Sequence, residues 1–258
     1  MKQFLVFLEE NFLVLKKYKI RSFIWPFIII PISFILDIIL RQEYLNLVPF
    51  YNKFVPYLYI LFVGLIIVDV IEWIIPWLSM DLEDPEFLKR FHFYNKIDYI
   101  LGILIYTLFA FIIKVSIIFI PLHIIYKLPL KFYYFSLLGI ILFIPFALAF
   151  GLFFGSLTLR YKSDAAPAWW AFNTFAWVIF PVSFSLMIFP EPVRTYLEIF
   201  IPPFAIIEEI RKLLILGNFN LKVLILSILV SLIYLILSII IFVKNYEKGR
   251  KKGWLYLR

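Results

Sequence analysis

The sequence predicts an all-α integral membrane protein, with six transmembrane helices behind an N-terminal interfacial amphipathic helix. Three observations predict it. Hydrophobic residues make up 64% of the 258 residues and charged ones only 16%, against roughly 45–50% and about 25% in soluble chains. The apolar residues fall into long runs, and the basic residues sort to alternate sides of those runs. Spans of about 20 residues each leave too little chain for a separate soluble catalytic domain of ordinary size.

Six segments have the length of a spanning helix: 22–40, 54–75, 99–120, 135–159, 168–189 and 221–243. Pro26, Pro31, Pro56, Pro145 and Pro181 interrupt them. Membrane helices tolerate proline where neighbours re-satisfy the freed carbonyls, so these positions read as kinks. The transmembrane domain then occupies 22–243, with a loop at 76–98, an extracellular segment at 190–220 and a basic tail at 244–258.

Basic residues orient the bundle. With both termini inside, the cytoplasmic segments hold sixteen Lys and Arg, the opposite side holds eight, and Lys114 lies within a span. The formal net charge of +8 therefore reads as topology in a plasma or inner membrane, and not as nucleic-acid binding. The tail has the composition of a segment that associates with anionic lipid.

Residues 1–21 form the interfacial helix. Phe4, Leu5, Phe7, Leu8, Phe12, Val14, Leu15 and Tyr18 share one arc, while Lys2, Glu9, Glu10, Lys16 and Lys17 lie opposite, the pattern of a helix in the membrane surface. The run 4–8, followed by Glu9 and Glu10, is too short for the apolar core of a signal peptide.

The common catalytic signatures are missing. The chain contains no phosphate-binding G-x-x-x-x-G-K-[ST] and no G-x-S-x-G. His92 and His123 fall on opposite sides of the expected membrane, and there is no cysteine. No metal site and no cofactor are expected on this chain, and it reads as non-catalytic. The cluster at 81–84 is a weak metal signal. Its surroundings fit a short docking helix better: Asp84 is a good N-cap, Pro85 suits the first helical position, and Glu86 favours the positive end of the dipole. That helix carries Phe87, Leu88 and Phe91 together with Lys89 and Arg90, apolar residues that need a surface to cover them.

The order of these elements resembles the membrane subunit of ABC-type exporters of the type-2 permease family, over essentially the whole chain. The segment Glu86-Phe87-Leu88, then Lys96-Ile97-Asp98-Tyr99-Ile100-Leu101-Gly102, is similar to the family's cytoplasmic coupling helix and the start of its third span. The stretch from Gly151 through Gly155 to Arg160 resembles its fourth span. Phe189-Pro190-Glu191-Pro192, Ile201-Pro202-Pro203 and Glu208-Glu209-Ile210-Arg211 resemble the extracellular segment, which forms short re-entrant helices in the family. The acidic lead-in at 81–85 departs from the family pattern. The resemblance implies a dimeric permease, a homodimer or a pseudo-dimer, that works with two cytoplasmic ATPase subunits. ATP and Mg would be bound on those partners, and Asp84 to Phe91 would dock against them.

Charges inside spans are costly and mark candidate sites. Asp37 and Lys114 each lie fifteen residues into a span, about 22 Å deep, and are expected to pair. Asp69 and Glu72 share a face of the second span and are expected to meet cytoplasmic cations such as those of the N-terminal helix. Gly151 and Gly155 permit close helix packing. Trp169, Trp170, Phe172 and Trp177 are the candidate pathway aromatics, although interfacial or lipid-facing positions suit most of them better. The resulting expectation is an exporter permease for an amphipathic lipid, drug-like compound or lipid-linked glycan. The alternatives are a polysaccharide or polyol exporter of the same family, an ion-gradient-driven transporter using the intramembrane charges, and a lipid-modifying membrane enzyme.

Overall fold

The computed structural model describes residues 42–83, 96–161 and 178–251, with single positions between 32 and 38 and between 171 and 176. The expected interfacial helix, the docking helix and the end of the basic tail lie outside the described residues. The described chain is mostly helical, with six α-helices: α1 (Tyr57–Glu83), α2 (Lys96–Tyr126), α3 (Leu130–Tyr161), α4 (Glu191–Phe200), α5 (Pro202–Leu216) and α6 (Leu221–Lys251). A hairpin, β1 (Leu47–Phe50) and β2 (Lys53–Pro56), precedes α1, and a short 3-10 turn, Leu186–Ile188, precedes α4.

Among the described residues, two helices are long and apolar enough to cross a membrane: α3 over Leu130–Leu157 and α6 over Leu221–Lys248, 28 residues each. Such a length reaches about 42 Å at roughly 1.5 Å per residue, more than a hydrocarbon core of about 30 Å. They occupy different places. The apolar stretch of α3 is 61% buried and that of α6 only 22%. Accordingly α3 is the central helix, packed along α1 on one side and α6 on the other, with α2 and α5 also against it. The core between α1 and α3 includes Phe62, Ile66, Ile67, Phe143, Phe146 and Ala147, all essentially inaccessible. The exposed surface of α6 carries Leu229, Leu232, Ile233, Ile236 and Ile240.

Several boundaries differ from the sequence expectation, each for a local reason. The loop expected at 76–98 is shorter, because α1 continues to Glu83 and α2 begins at Lys96. Likewise α2 runs through Pro121 to Tyr126, past the expected end at 120. A proline frees one carbonyl in the preceding turn, and a single freed carbonyl does not end a well-packed helix. Pro181 does the opposite. Helical positions reach Ile179, and Phe180–184 is bent chain, so the segment expected to span from 168 to 189 is broken near its end. Pro181 has no N–H to offer and disfavours helix at the residue before it. The chain turns sharply there, with Val182 N donating to Phe180 O at 2.7 Å.

The purely α expectation also fails at 47–56. Leu47 pairs with Pro56 and Phe50 with Lys53 in an antiparallel hairpin. Pro49 and Pro56 oppose helix formation but are tolerated in a two-stranded ribbon that is edge on both sides. Tyr51 makes the turn at φ 52. Its neighbour Phe50 is fully buried and packs with Val55 and Ile60 in a small core of its own.

Gly64 and Gly139 show how closely the elements approach. A Cβ on Gly64 would lie 2.5 Å from Val182 O and 2.6 Å from Arg211 Nη2, whereas one on Gly139 would meet Ile67 Cδ1 at 2.6 Å. The first obstacle is backbone and a fixed guanidinium; the second is the end of a side chain that can rotate. Gly64→Ala is expected to destabilise the protein by about 1–3 kcal/mol, the range for overpacking, and Gly139→Ala by less. Thermal unfolding of the purified variants checks the order, and equal effects would show that the approach at Gly64 is not tight.

Candidate functional site

Helix α5 carries its charges inward. Glu208, Glu209 and Arg211 are each at most 2% exposed, in a helix whose other residues are largely apolar. The start at Pro202-Pro203 uses positions where no intrahelical N–H is needed, and Gly217 closes the helix at φ 79, with its N–H on Lys212 O. This geometry aims Arg211 at the junction of α1 with the broken segment 180–185.

Arg211 is the hub of that junction. Its Nε and Nη2 donate to Ile60 O of α1 at 3.0 and 2.6 Å, Nη2 also to Val182 O at 2.7 Å, and Nη1 to Phe184 O at 2.8 Å. Buried carbonyls must find donors. The break at Pro181 frees such carbonyls, and the guanidinium fork serves them from one point. Burial lowers the Arg211 pKa to about 10 while Glu208 opposes the fall, so the group stays cationic near neutral pH. Glu208 Oε2 lies 3.6 Å from Arg211 Nη1. The other Glu208 oxygen accepts from Ser185 Oγ at 2.6 Å and from Leu186 N at 3.2 Å, fixing the 3-10 turn.

One helical step away, Lys212 donates to Glu209 Oε1 at 2.6 Å and lies 3.8 Å from Glu198 Oε1 of α4. Its ammonium sits over the Tyr51 ring, 5.1 Å from the centroid. Burial alone would lower the Lys212 pKa, and Glu209, Tyr51 and Glu198 together hold it above its ordinary value. Glu209 Oε2 accepts from Asn220 N, and Asn220 caps α6 through its side-chain oxygen. Burial, with Glu208 nearby, pushes the Tyr51 hydroxyl up to about 12. Beside Tyr51, an open cavity of about 460 Å³ is lined by Asn52, Lys53, Leu216 and Asn218. Lys53 donates across it to Ile215 O at 3.1 Å.

A second buried pair lies in the middle of the bundle. Lys114 Nζ donates to Asp69 Oδ1 at 2.7 Å, joining α2 to α1, and both residues are at most 5% exposed. The expected partner of Lys114, Asp37, lies outside the described residues; the expected partner of Asp69 is what changes. Asp69 meets a lysine of the neighbouring helix instead of a cation of the N-terminal segment. The reason is length. Asp69 lies twelve residues after the start of α1 and Lys114 twelve before the end of α2, so both sit about 18 Å from the same end of two antiparallel helices.

The other sequence-derived candidates are scattered. Asp37, the eight docking residues Asp84 to Phe91, Trp169, Trp170 and Trp177 lie outside the described residues. Glu72 is on α1, one turn beyond Asp69. Gly151 and Gly155 are buried on α3, and at the same level Ser156 Oγ accepts from Asn245 of α6 at 3.2 Å. Phe172 stacks on Phe150 at 4.7 Å and contacts Phe154 at 5.1 Å, an engaged ring in an aromatic cluster. The α5 cluster is not among the candidate sites read from the sequence, where Glu208 to Arg211 stand only as part of the extracellular segment 190–220. A signal was present: Glu208/Arg211 and Glu209/Lys212 are two i,i+3 acid–base pairs set between Ile206, Ile207, Ile210 and Leu213-Leu214.

No family model matches the chain, and no curated protein matches it significantly.

Two outcomes follow from the geometry. Arg211→Met strips the carbonyls of Ile60, Val182 and Phe184 of their donor and leaves Glu208 uncompensated, at an expected cost of about 3–5 kcal/mol. Arg211→Lys supplies charge without the fork and should fall between that variant and wild type in thermal stability. Parity of the two substitutions would mean that charge alone matters. In the middle of the bundle, Asp69→Leu and Lys114→Leu are each expected to cost about 3–5 kcal/mol. The double variant should be far more stable than the sum of the singles. Strict additivity in unfolding measurements would show that the two charges do not sense each other.

Proposed function

We propose that the chain is the membrane-embedded permease subunit of an ATP-driven exporter, acting as a dimer on an amphipathic lipid, drug-like or lipid-linked glycan cargo. The observation that carries this reading is the inversion of ordinary burial. The long helix α6 turns Leu229, Ile233, Ile236 and Ile240 outward, while Glu208, Glu209, Arg211, Asp69 and Lys114 are enclosed. Such an arrangement suits a hydrocarbon solvent, in which unpaired charge is expensive and apolar surface is not.

The same reading assigns both termini to the cytoplasm from the distribution of basic residues. The hydrolytic step belongs to two soluble ATPase subunits, engaged through Phe87 and Leu88. In the absence of a catalytic signature, the chain's own contribution is the path through the membrane. A gradient-driven transporter is the second reading, favoured by one observation: Asp69 and Lys114 form a buried ion pair at 2.7 Å of a kind that proton- and ion-coupled carriers use.

Reconstitution separates the two. The full chain is co-expressed with candidate soluble Walker-type ATPases, purified with any that binds it, and placed in vesicles containing a fluorescent phospholipid. Movement of the phospholipid should require ATP and the partner, and Phe87→Asp or Leu88→Asp should abolish both co-purification and transport. Transport from a proton or sodium gradient alone, without the partner, would overturn the exporter reading in favour of the second.

A further inference from the structure

Three buried oxygen atoms at the α4–α5 junction have no hydrogen-bond partner: Glu198 Oε1, Glu208 Oε2 and Tyr51 Oη. They border one cluster. Glu208 Oε2 is held electrostatically by Arg211 at 3.6 Å. Glu198 is different. It is 8% exposed, and the cation nearest to it, Lys212, is committed to Glu209 at 2.6 Å and reaches Glu198 only at 3.8 Å.

The charges make the consequence plain. Arg211 and Lys212 balance Glu208 and Glu209 one for one, so an ionised Glu198 would be a third, surplus carboxylate in the enclosure. On α4 the half-buried Arg194 offsets it only in part. The hairpin brings Tyr51, which is neutral at ordinary pH. From α6, also packed on α4, Tyr234 donates to Phe200 O at 2.8 Å, and Lys222 is exposed. The preceding 3-10 turn, Leu186–Ile188, brings no titratable side chain.

We propose that Glu198 is a proton-binding site whose protonated form holds α4 against α5. As an acid, Glu198 leaves the cluster neutral and gains a donor. As a carboxylate, it must compete with Glu209 for Lys212 or turn α4 outward to reach water. The open cavity of about 460 Å³ beside the hairpin is bordered by Tyr51, Asn52, Lys53, Leu216 and Asn218, and none of the cluster's carboxylates lines it. Burial also raises the Glu198 pKa. The sign follows: docking that favours the protonated form is strongest at low pH and is lost as pH rises past the ordinary carboxylate range toward the raised value. The inference rests on the cluster geometry and does not depend on what energy source drives transport.

The chain has no cysteine, so introduced pairs label cleanly. Tyr196 on α4 and Asn218 after α5 are both exposed, and Tyr196→Cys with Asn218→Cys carries two spin labels on the full-length protein in vesicles. Distances are recorded from about pH 4, just below the ordinary glutamate value and further below the raised one of Glu198, to mildly alkaline solution. The expected result is a short separation in acid that widens as pH rises, with a short separation at every pH in Glu198→Gln. Infrared difference spectra should show a protonated carboxyl band in wild type that Glu198→Gln removes. A separation independent of pH in wild type would overturn the proposal. So would a Glu198→Gln protein that widens as wild type does, or transfer of the whole effect to Glu208→Gln.

Discussion

The end of the bundle that holds α4 and α5 depends on one side chain. Arg211 hydrogen-bonds carbonyls of α1 and of the broken segment after residue 179, two stretches of chain that share no secondary structure. A helix interrupted inside a protein leaves acceptors that water cannot reach, and each unmatched one costs on the order of 1–3 kcal/mol. Water could serve them only if the junction were open, and Gly64 closes it: without a Cβ there, Val182 and the guanidinium sit directly on α1. The glycine, the proline break and the arginine therefore form one requirement. Changing any of them alone removes the reason for the other two.

Much of the helical architecture was legible because it follows from composition and run length. The apolar runs expected at 54–75, 99–120, 135–159 and 221–243 each fall largely within a helix, for the physical reason that long uncharged stretches satisfy their backbone internally. Where the reading failed, the deciding interaction lay outside the window being read. Pro145 and Pro181 look alike in sequence. Pro145 lies within the central helix α3, and the helix persists; just after Pro181, Arg211 donates to the carbonyls of Val182 and Phe184 and stabilises an unwound chain instead. Nothing within ten residues of Pro181 reveals Arg211. The hairpin at 47–56 was hidden similarly, since Phe54 and Val55 extend an apolar run that hydropathy alone cannot divide.

The candidate site was less legible than the fold. Counting Lys and Arg by segment treats a charge as belonging to a side of the membrane, and that assumption breaks when a segment folds back into the bundle. Arg211 and Lys212 were counted as surface charges on the strength of their position between two long apolar runs. Their i,i+3 acidic partners signalled enclosure. Lys114 was recognisable as buried from its sequence neighbours, but its partner depended on helix ends. With α2 extended to Tyr126, Lys114 comes level with Asp69 of α1.

The two buried charge sets also differ in how tightly they are bound to their surroundings. Asp69 and Lys114 join two long helices near their middles, where any relative sliding separates opposite charges in a low-dielectric interior. The α5 cluster is arranged in series instead. Lys212 binds Glu209, and the other oxygen of Glu209 accepts from Asn220 at the start of α6. A carboxylate shared in this way transmits a change: drawing Lys212 toward Glu198 leaves Glu209 with less neutralising charge and weakens the fixed geometry at the cap of α6. Although α6 is less enclosed than α3, it packs along α3 and buries Leu224, Ser227 and Ser231 near this end, so the polar contacts at its N-terminus add to that packing in fixing where the helix begins.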